Sequence, residues 1–314
     1  MGTRLTFRSA SNVFSVGLLL LSILPFLHEY WWALELPSHF RLHIGVASVV
    51  LAIVALICKS WPAFGLAAVA AVVSWVIVLS VPRAHYLDGS GVIIVSQNLS
   101  LANGQVVKAL GELVEQDSDI VVLQEYTPEW HNALAELAER YQYKVTVPRN
   151  GAFGIAVYSK IPVRSHKIHI FGNTQTPFIE VELDSPKLRA RLIAVHFQAP
   201  MTSNRSKYRK RQLVELKRHL ETVNGPFVIV GDFNNTPYSP VLRSFMKETG
   251  TGVSQAICIP SWPRSLGWFG IPIDLAVGSN GIRIGSVSSI EPLGSDHRGL
   301  RFAISGGTTV HSQR

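Results

Sequence analysis

Apolar residues are distributed along this chain in two quite different ways. Residues 9–27, 42–58 and 60–82 are unbroken runs of mostly Leu, Val, Ala and Ile, with no Asp, Glu, Lys or Arg. Runs of this length match the roughly 17–25 residues a helix needs to cross hydrocarbon. Pro25 lies in the first run, where a spanning helix tolerates it if neighbours satisfy the freed backbone group. Tyr30, Trp31, Trp32, Trp61 and Trp75 lie near run ends, as interfacial aromatics do. A cleaved signal peptide is the alternative for the first run, because Arg4 and Arg8 precede it. No small-residue cleavage pattern follows, and two more runs come directly after. The pattern therefore predicts a three-span membrane anchor over 1–83, then a linker at 84–91.

Beyond the linker the apolar runs shorten and alternate with helical patterns. Val92–Ser96, Asp119–Gln124, Gly154–Tyr158, Arg191–His196, Pro226–Gly231 and Ile273–Val277 read as buried strands. Each is short, rich in Val and Ile, and bounded by turn residues. Helical periodicity fits 105–115, 128–140 and 206–221. Strands outnumber helices without strict alternation, which argues against a simple dinucleotide-binding fold. No Gly-rich phosphate loop followed by Lys-Ser/Thr is present. The second domain spans 92–306, with 307–314 as a tail.

Composition sharpens this division. Of the 314 residues, 47% are hydrophobic and 16% charged, against roughly 25% charged in an ordinary soluble domain. Disorder is excluded, since it requires few apolar residues and many charges. Cys58 and Cys258 are the only cysteines, too few for a disulfide framework or a cysteine-based zinc site. Residues 1–83 carry 5 of the 29 basic and 2 of the 21 acidic residues, so the net +8 is shared between both parts. Arg4, Arg8 and Lys59 lie on one side of the three runs, and Glu29, Glu35 and Arg41 on the other. Positive flanks favour the cytoplasm, which places the domain after Arg83 outside it, on a bacterial inner or plasma membrane.

The candidate chemistry lies at strand ends. Asn98 follows the first strand and Glu125 the second, His196 ends another, and Asp232 and Asn234 follow the next. Asp274 lies within Ile273-Asp274-Leu275, and Asp296 and His297 within Ser295-Asp296-His297. Singly, such residues are more often turn formers, caps or solvated groups. Together they fit one rim of a sheet, where a rigid scaffold places function.

This order of motifs resembles the endonuclease/exonuclease/phosphatase family, the deoxyribonuclease I-like phosphohydrolases, over residues 90–306. The resemblance is carried by Leu-Gln-Glu at 123–125, Gly-Asp-Phe-Asn at 231–234 and Ser-Asp-His at 295–297. Asn98, His196, Ile273-Asp274 and the segment from Gly154 through Lys160 to Pro162 support it. Leu275 stands where related sequences often carry His or Tyr, and the irregular segment 250–270 is a candidate specificity loop. The resemblance implies a four-layer α/β/β/α sandwich, preceded here by the three transmembrane helices. It implies that Asp232 positions or deprotonates the attacking water and that Asn234 orients it or holds a phosphate oxygen. It also implies that His297 pairs with Asp296, and His196 with Asp274, each pair serving as an acid or a cationic phosphate contact. The general base remains open at this point.

Phosphodiester hydrolysis needs charge neutralisation, an activated water and a protonated leaving group. Mg²⁺ or Mn²⁺ suits this chemistry, since Mg²⁺ takes a few carboxylate or amide oxygens and keeps several waters. Glu125 is the natural ligand, with Asn98 and Asp296 beside it. Residues 205–218 add seven Lys or Arg, among them Arg205, Lys207, Arg209, Lys210 and Arg211. These read either as a solvated helix face or as a patch that attracts nucleic acid or anionic lipid headgroups. Trp262, Trp268 and Phe269 could stack on bases, dip into an interface or fill a core. The leading expectation is a membrane-anchored, metal-dependent nuclease. A phospholipid or small-molecule phosphoesterase is the alternative. A non-enzymatic binding protein is disfavoured by the full set of acids and histidines.

Overall fold

The computed structural model describes residues 2–172, 174–186, 188–254, 259–291 and 294–306. The tail at 307–314, Cys258 and part of the 250–270 segment therefore lie outside the described residues. By its internal contacts the chain divides into two units, one formed by 1–81 with 236–244 and the other by 82–235 with 245–314.

The first unit is built on helices α1 (Gly2–Ile23), α2 (Arg41–Ile57) and α3 (Trp61–Leu79). Three helical segments here are long and apolar enough to cross a membrane. Ala63, Ala67, Ala70 and Ser74 form the buried face of α3, and Gly45, Ser48, Ala52 and Ala55 that of α2. Such small residues let helix backbones approach closely. A Cβ on Gly45 would lie 3.2 Å from the Trp75 ring nitrogen. Val46, Val50, Ile53, Val72, Val76 and Leu79 point outward and are exposed. The turn between α1 and α2 is largely 3₁₀ helix and buries Glu35 and His39. Ser239 donates a 2.9 Å hydrogen bond to Glu35, and His39 Nδ1 lies 3.2 Å from the Thr236 hydroxyl.

The second unit is a two-sheet sandwich. Strands β1 (His85–Tyr86), β2 (Val92–Asn98), β3 (Ile120–Gln124), β4 (Tyr143–Val147) and β5 (Ile155–Ser159) join β12 (Ile282–Ile290) and β13 (Gly299–Gly306) in the first sheet. Its order is β1-β12-β13-β2-β3-β5-β4. The second sheet contains β6 (Val163–Phe171), β7 (Thr176–Ser185), β8 (Leu188–His196), β9 (Phe227–Asp232), β10 (Thr251–Val253) and β11 (Asp274–Ser279). Its order is β10-β11-β9-β8-β7-β6.

Ile94, Ile120, Val122 and Val157 from the first sheet meet Val181, Leu192, Val228 and Val230 from the second in one core. The first sheet's outer face packs Val121, Leu123 and Tyr158 against α4 (Val106–Glu115) and α5 (Pro128–Ala133), through Leu113 and Trp130. Helix α7 (Ser203–Leu220) lies on the outer face of the second sheet, where His219 meets Phe178 and Glu180. This is the expected four-layer α/β/β/α arrangement. All six expected strands form, within a few residues of their expected bounds. The helix expected over 128–140 is broken at Leu134 into α5 and α6 (Ala135–Arg140). Helix α8 (Pro240–Thr249) follows the Asp232–Asn234 turn.

Candidate active site

Two parallel strand pairs, β2 with β3 and β8 with β9, end on the same side of the sandwich, and their registers align the polar groups. Asn98 pairs with Gln124 at the end of the first pair, and His196 with Asp232 at the end of the second. Strand β11 runs antiparallel to β9 and begins at Asp274, directly opposite Asp232. Strand β13 runs antiparallel to β2, so His297, two residues before it, arrives at the same edge.

The turns there are tightly specified. Gly231 has φ 142°, and a Cβ on it would lie 2.0 Å from the Val195 carbonyl oxygen, so only glycine fits. Glu125 and Asn234 adopt positive φ, 55° and 44°, conformations uncommon outside glycine and concentrated at functional turns.

The side chains converge on Asp232. Asn98 Nδ2 donates to Asp232 Oδ2 at 3.1 Å and to Glu125 Oε1 at 3.2 Å. The Leu101 amide donates to Glu125 Oε2 at 2.6 Å, and the Asn234 amide to Asp232 Oδ1 at 2.7 Å. His196 Nε2 lies 3.5 Å and His297 Nε2 3.9 Å from Asp232 Oδ2. His297 Nδ1 is 2.8 Å from Asp274 Oδ2. Asn98, His196, Asp232, Asp274 and His297 are all buried.

Burial and crowding set the charges. Asp232 is pushed up to about 7 by burial and by the neighbouring Asp274, against the pull of His297, the Asn234 amide and Asn98. For His297, burial disfavours the cation, but Asp274, by charge and hydrogen bond, with Asp232 and Asp296 behind it, raises it to about 10. His196 is brought down to about 4 by burial, against the attraction of Glu125 and with His297 repelling it. These influences favour the cationic form of His297, the neutral form of His196 and a raised proton affinity of Asp232.

Two expected pairings are corrected. His297 pairs with Asp274 rather than Asp296, and His196 lies beside Asp232 and Asn234 rather than Asp274. Asp296 is exposed and accepts a 3.0 Å hydrogen bond from the Trp262 indole. The chain bends at Asp296 and His297 before β13 begins, and the two side chains take different partners. Arg209 leaves the expected cationic patch as well, being fully buried and donating at 3.0 Å to the Asn234 carbonyl. Arg205, Lys207 and Arg211 are exposed and Lys210 is partly so.

Sequence reasoning missed three supporting groups. The Ser261 hydroxyl accepts from the Ile273 and Asp274 amides at 3.0 Å, fixing the start of β11. The Ser295 hydroxyl donates to the Asn98 carbonyl at 2.7 Å, and the Phe153 ring packs 5.1 Å from His196. Phe153 and Ser261 are common residue types in loops with no signal beyond nearness to a motif, and Ser295 stands within the Ser-Asp-His motif but had no role marked by the sequence.

The donor set suits a hard divalent cation. Glu125 and Asp232 direct carboxylate oxygens at the Asn98 side chain, and buried Asp274 Oδ1 has no hydrogen-bond partner. Asp232, Asp274 and His297 also offer atoms within 4.8 Å of one another that could hold a metal. Oxygen-rich donors of this kind match Mg²⁺ or Mn²⁺ better than softer metals.

Solved structures share the sandwich. A humanized D. rerio TDP2 is 17% identical, covering 69% of this chain and all of that one, at a TM-score of 0.58. An endonuclease/exonuclease/phosphatase from Beutenbergia cavernae is 19% identical over 70% of this chain and 72% of its own, at 0.57. Sphingomyelinase C from Streptomyces griseocarneus is 17% identical over 70% of this chain and all of its own, at 0.53. Likenesses at such identities speak to the fold. Among curated protein sequences none matches. The family profile described as Endonuclease/Exonuclease/phosphatase matches residues 95–297, well over half of the chain. A match of that extent, falling on the unit that brings Asn98 and His297 to one edge, makes this chain a member of the endonuclease/exonuclease/phosphatase family.

Proposed function

We propose that this protein is a membrane-anchored, Mg²⁺- or Mn²⁺-dependent phosphodiesterase, with nucleic acid as its leading substrate class. The carrying observation is the buried cluster in which Asp232 lies within hydrogen-bonding or ion-pair reach of Asn98, Asn234, His196 and His297. Glu125 would hold the metal, with Asn98 beside it and Asp296 nearer the rim. When bound, the ion supplies charge neutralisation at the phosphoryl oxygens.

The chain's own groups supply the remaining chemistry. With one oxygen held by the Asn234 amide, Asp232 presents the other to a water and takes its proton, its midpoint near neutrality suiting a general base. The Asp274–His297 pair keeps an imidazolium beside Asp232, placed to contact a phosphate oxygen or protonate the leaving group. His196, neutral, sits 3.3 Å from Asn234 Nδ2 and holds that amide towards the reacting centre.

Two surfaces bear on the substrate. The exposed cations of α7 favour a polyanion, and a D. rerio TDP2 of the same fold is known complexed with a single strand DNA product. A phospholipid is the second reading, favoured by Leu266, Trp268 and Phe269, exposed on the loop that also carries Trp262 onto Asp296. The three apolar helices of the first unit are proposed to span the membrane and to place the second unit outside the cytoplasm.

The decisive experiment incubates the full chain in detergent or nanodiscs with single-stranded DNA, plasmid and phospholipid vesicles, with Mg²⁺ or EDTA. Metal-dependent DNA cleavage supports the nuclease reading, and lipid hydrolysis alone replaces it with the second. No metal-dependent turnover of either, or of bis(p-nitrophenyl) phosphate, overturns the proposal. Glu125→Ala is expected to abolish most Mg²⁺-dependent turnover, and wild-type rates in that variant would exclude Glu125 as the ligand.

A further inference from the structure

On the outer face of the second sheet, away from the strand ends that carry the active site, two histidines aim at one carboxylate oxygen. His169 of β6 and His219 of α7 place their Nε2 atoms 3.2 Å and 2.6 Å from Glu180 Oε2 on β7. Their rings lie 4.3 Å apart, and the three donor atoms all fall within 4.8 Å of one another. In a tetrahedral zinc site with bonds of about 2.0–2.1 Å, neighbouring ligand atoms stand roughly 3.3 Å apart. The 3.2 Å spacing already matches this, and the 2.6 Å spacing would widen by about 0.7 Å on taking up an ion.

The surroundings fit the same use. Glu180 is buried and its other oxygen, Oε1, is taken by Arg191, the hydrogen-bonded support that ligating carboxylates usually have. The His169 ring stacks on Phe178 at 4.5 Å, fixing its plane. Glu180 and His219 also line a surface cavity of about 360 Å³, together with Ser165, Lys167, Glu182, Arg191 and Thr222. Three protein ligands with an open fourth side are the usual provision of a His₂Glu zinc site.

We propose that His169, Glu180 and His219 form a second metal site, selective for a divalent transition ion of the zinc class and separate from the oxygen-rich active site. An ion there ties the edge strand β6, its neighbour β7 and the basic helix α7 together. Imidazole donors suit zinc and cobalt, whereas Mg²⁺ prefers oxygen, so the two sites do not compete for one ion.

The test uses the full chain in detergent, stripped with EDTA, dialysed, and titrated with Co²⁺ and then Zn²⁺ under excess Mg²⁺. Wild type is expected to develop a visible Co²⁺ absorption band that one equivalent of Zn²⁺ removes, and Zn²⁺ is expected to raise its thermal midpoint. His169→Gln and His219→Gln should each lose the band and the thermal shift while keeping the wild-type circular dichroism spectrum, and Glu125→Gln should keep both. No Mg²⁺-resistant Co²⁺ or Zn²⁺ binding by wild type would reduce the cluster to a hydrogen-bond network and overturn the proposal. A band that survives in both histidine variants, or that Glu125→Gln removes, would overturn it too. If one histidine variant fails to fold, the other and the wild-type titration still decide.

Discussion

At the scale of single residues, the active site depends on which acid faces which imidazole. Asp274 faces His297 at 2.8 Å and raises it well above its ordinary value. A histidine whose folded pKa of about 10 exceeds an unfolded value near 6.5 contributes stability that is fully present below about 6.5 and lost as pH rises through about 10. Asp274→Asn removes the partner, so the variant should be markedly less stable than wild type at pH 6 and approach it near pH 10. Thermal midpoints of the full chain in EDTA check this, and a gap independent of pH would show that the pair does not act through the imidazolium. The residues of this site were legible in the sequence but their partners were not. The resemblance implied a pairing of His297 with Asp296, whereas the antiparallel register of β11 on β9 brings Asp274 to the site from far along the chain.

At the scale of elements, legibility followed burial. Strands β2, β3, β5, β8 and β9 are almost wholly buried and read as short Val- and Ile-rich runs. Strand β6 is an edge strand whose residues 164–168 are all exposed, with Arg164, His166 and Lys167 among them. It has no apolar run, and its charges suit an edge that must not pair with another chain. Strand β7 alternates, with Ile179, Val181 and Leu183 inward and Glu180 and Glu182 outward, a period that a search for continuous apolar runs passes over. Helix α7 was legible from Leu213, Leu216 and Leu220 but begins earlier, at Ser203, because Thr202 caps it by accepting from the Arg205 amide at 3.3 Å. Thr202→Ala should cost about 1 kcal/mol, read as a lower unfolding midpoint in urea with the slope unchanged. No measurable loss would mean that the cap is not what starts the helix.

At the scale of the whole molecule, the three apolar helices were plain in the charge-free runs, since length without charge is the strongest one-dimensional signal a chain carries. The return of 236–244 to the first unit was not, because nothing local in that segment sets it apart. An export-dependent reporter fused to the C-terminus is expected to be active, and its silence would reverse the proposed topology.

The Asn98–Asp232 hydrogen bond of 3.1 Å runs from a strand of one sheet to a strand of the other, and the His297–Asp274 contact does the same from the loop before β13. The site is therefore a caliper closed across the sandwich, and its reading depends on the filling between the jaws. A slip of one sheet along the other by a single residue, about 3.3 Å, would open both contacts while leaving every strand intact. Leu192→Ala, emptying a fully buried position between the sheets, should cost about 2–5 kcal/mol. On warming, this variant should lose turnover several degrees before its circular dichroism changes. Coincident loss of the two would mean that the sheets part and unfold in one step, with no interval in which the jaws are sprung but the frame still stands.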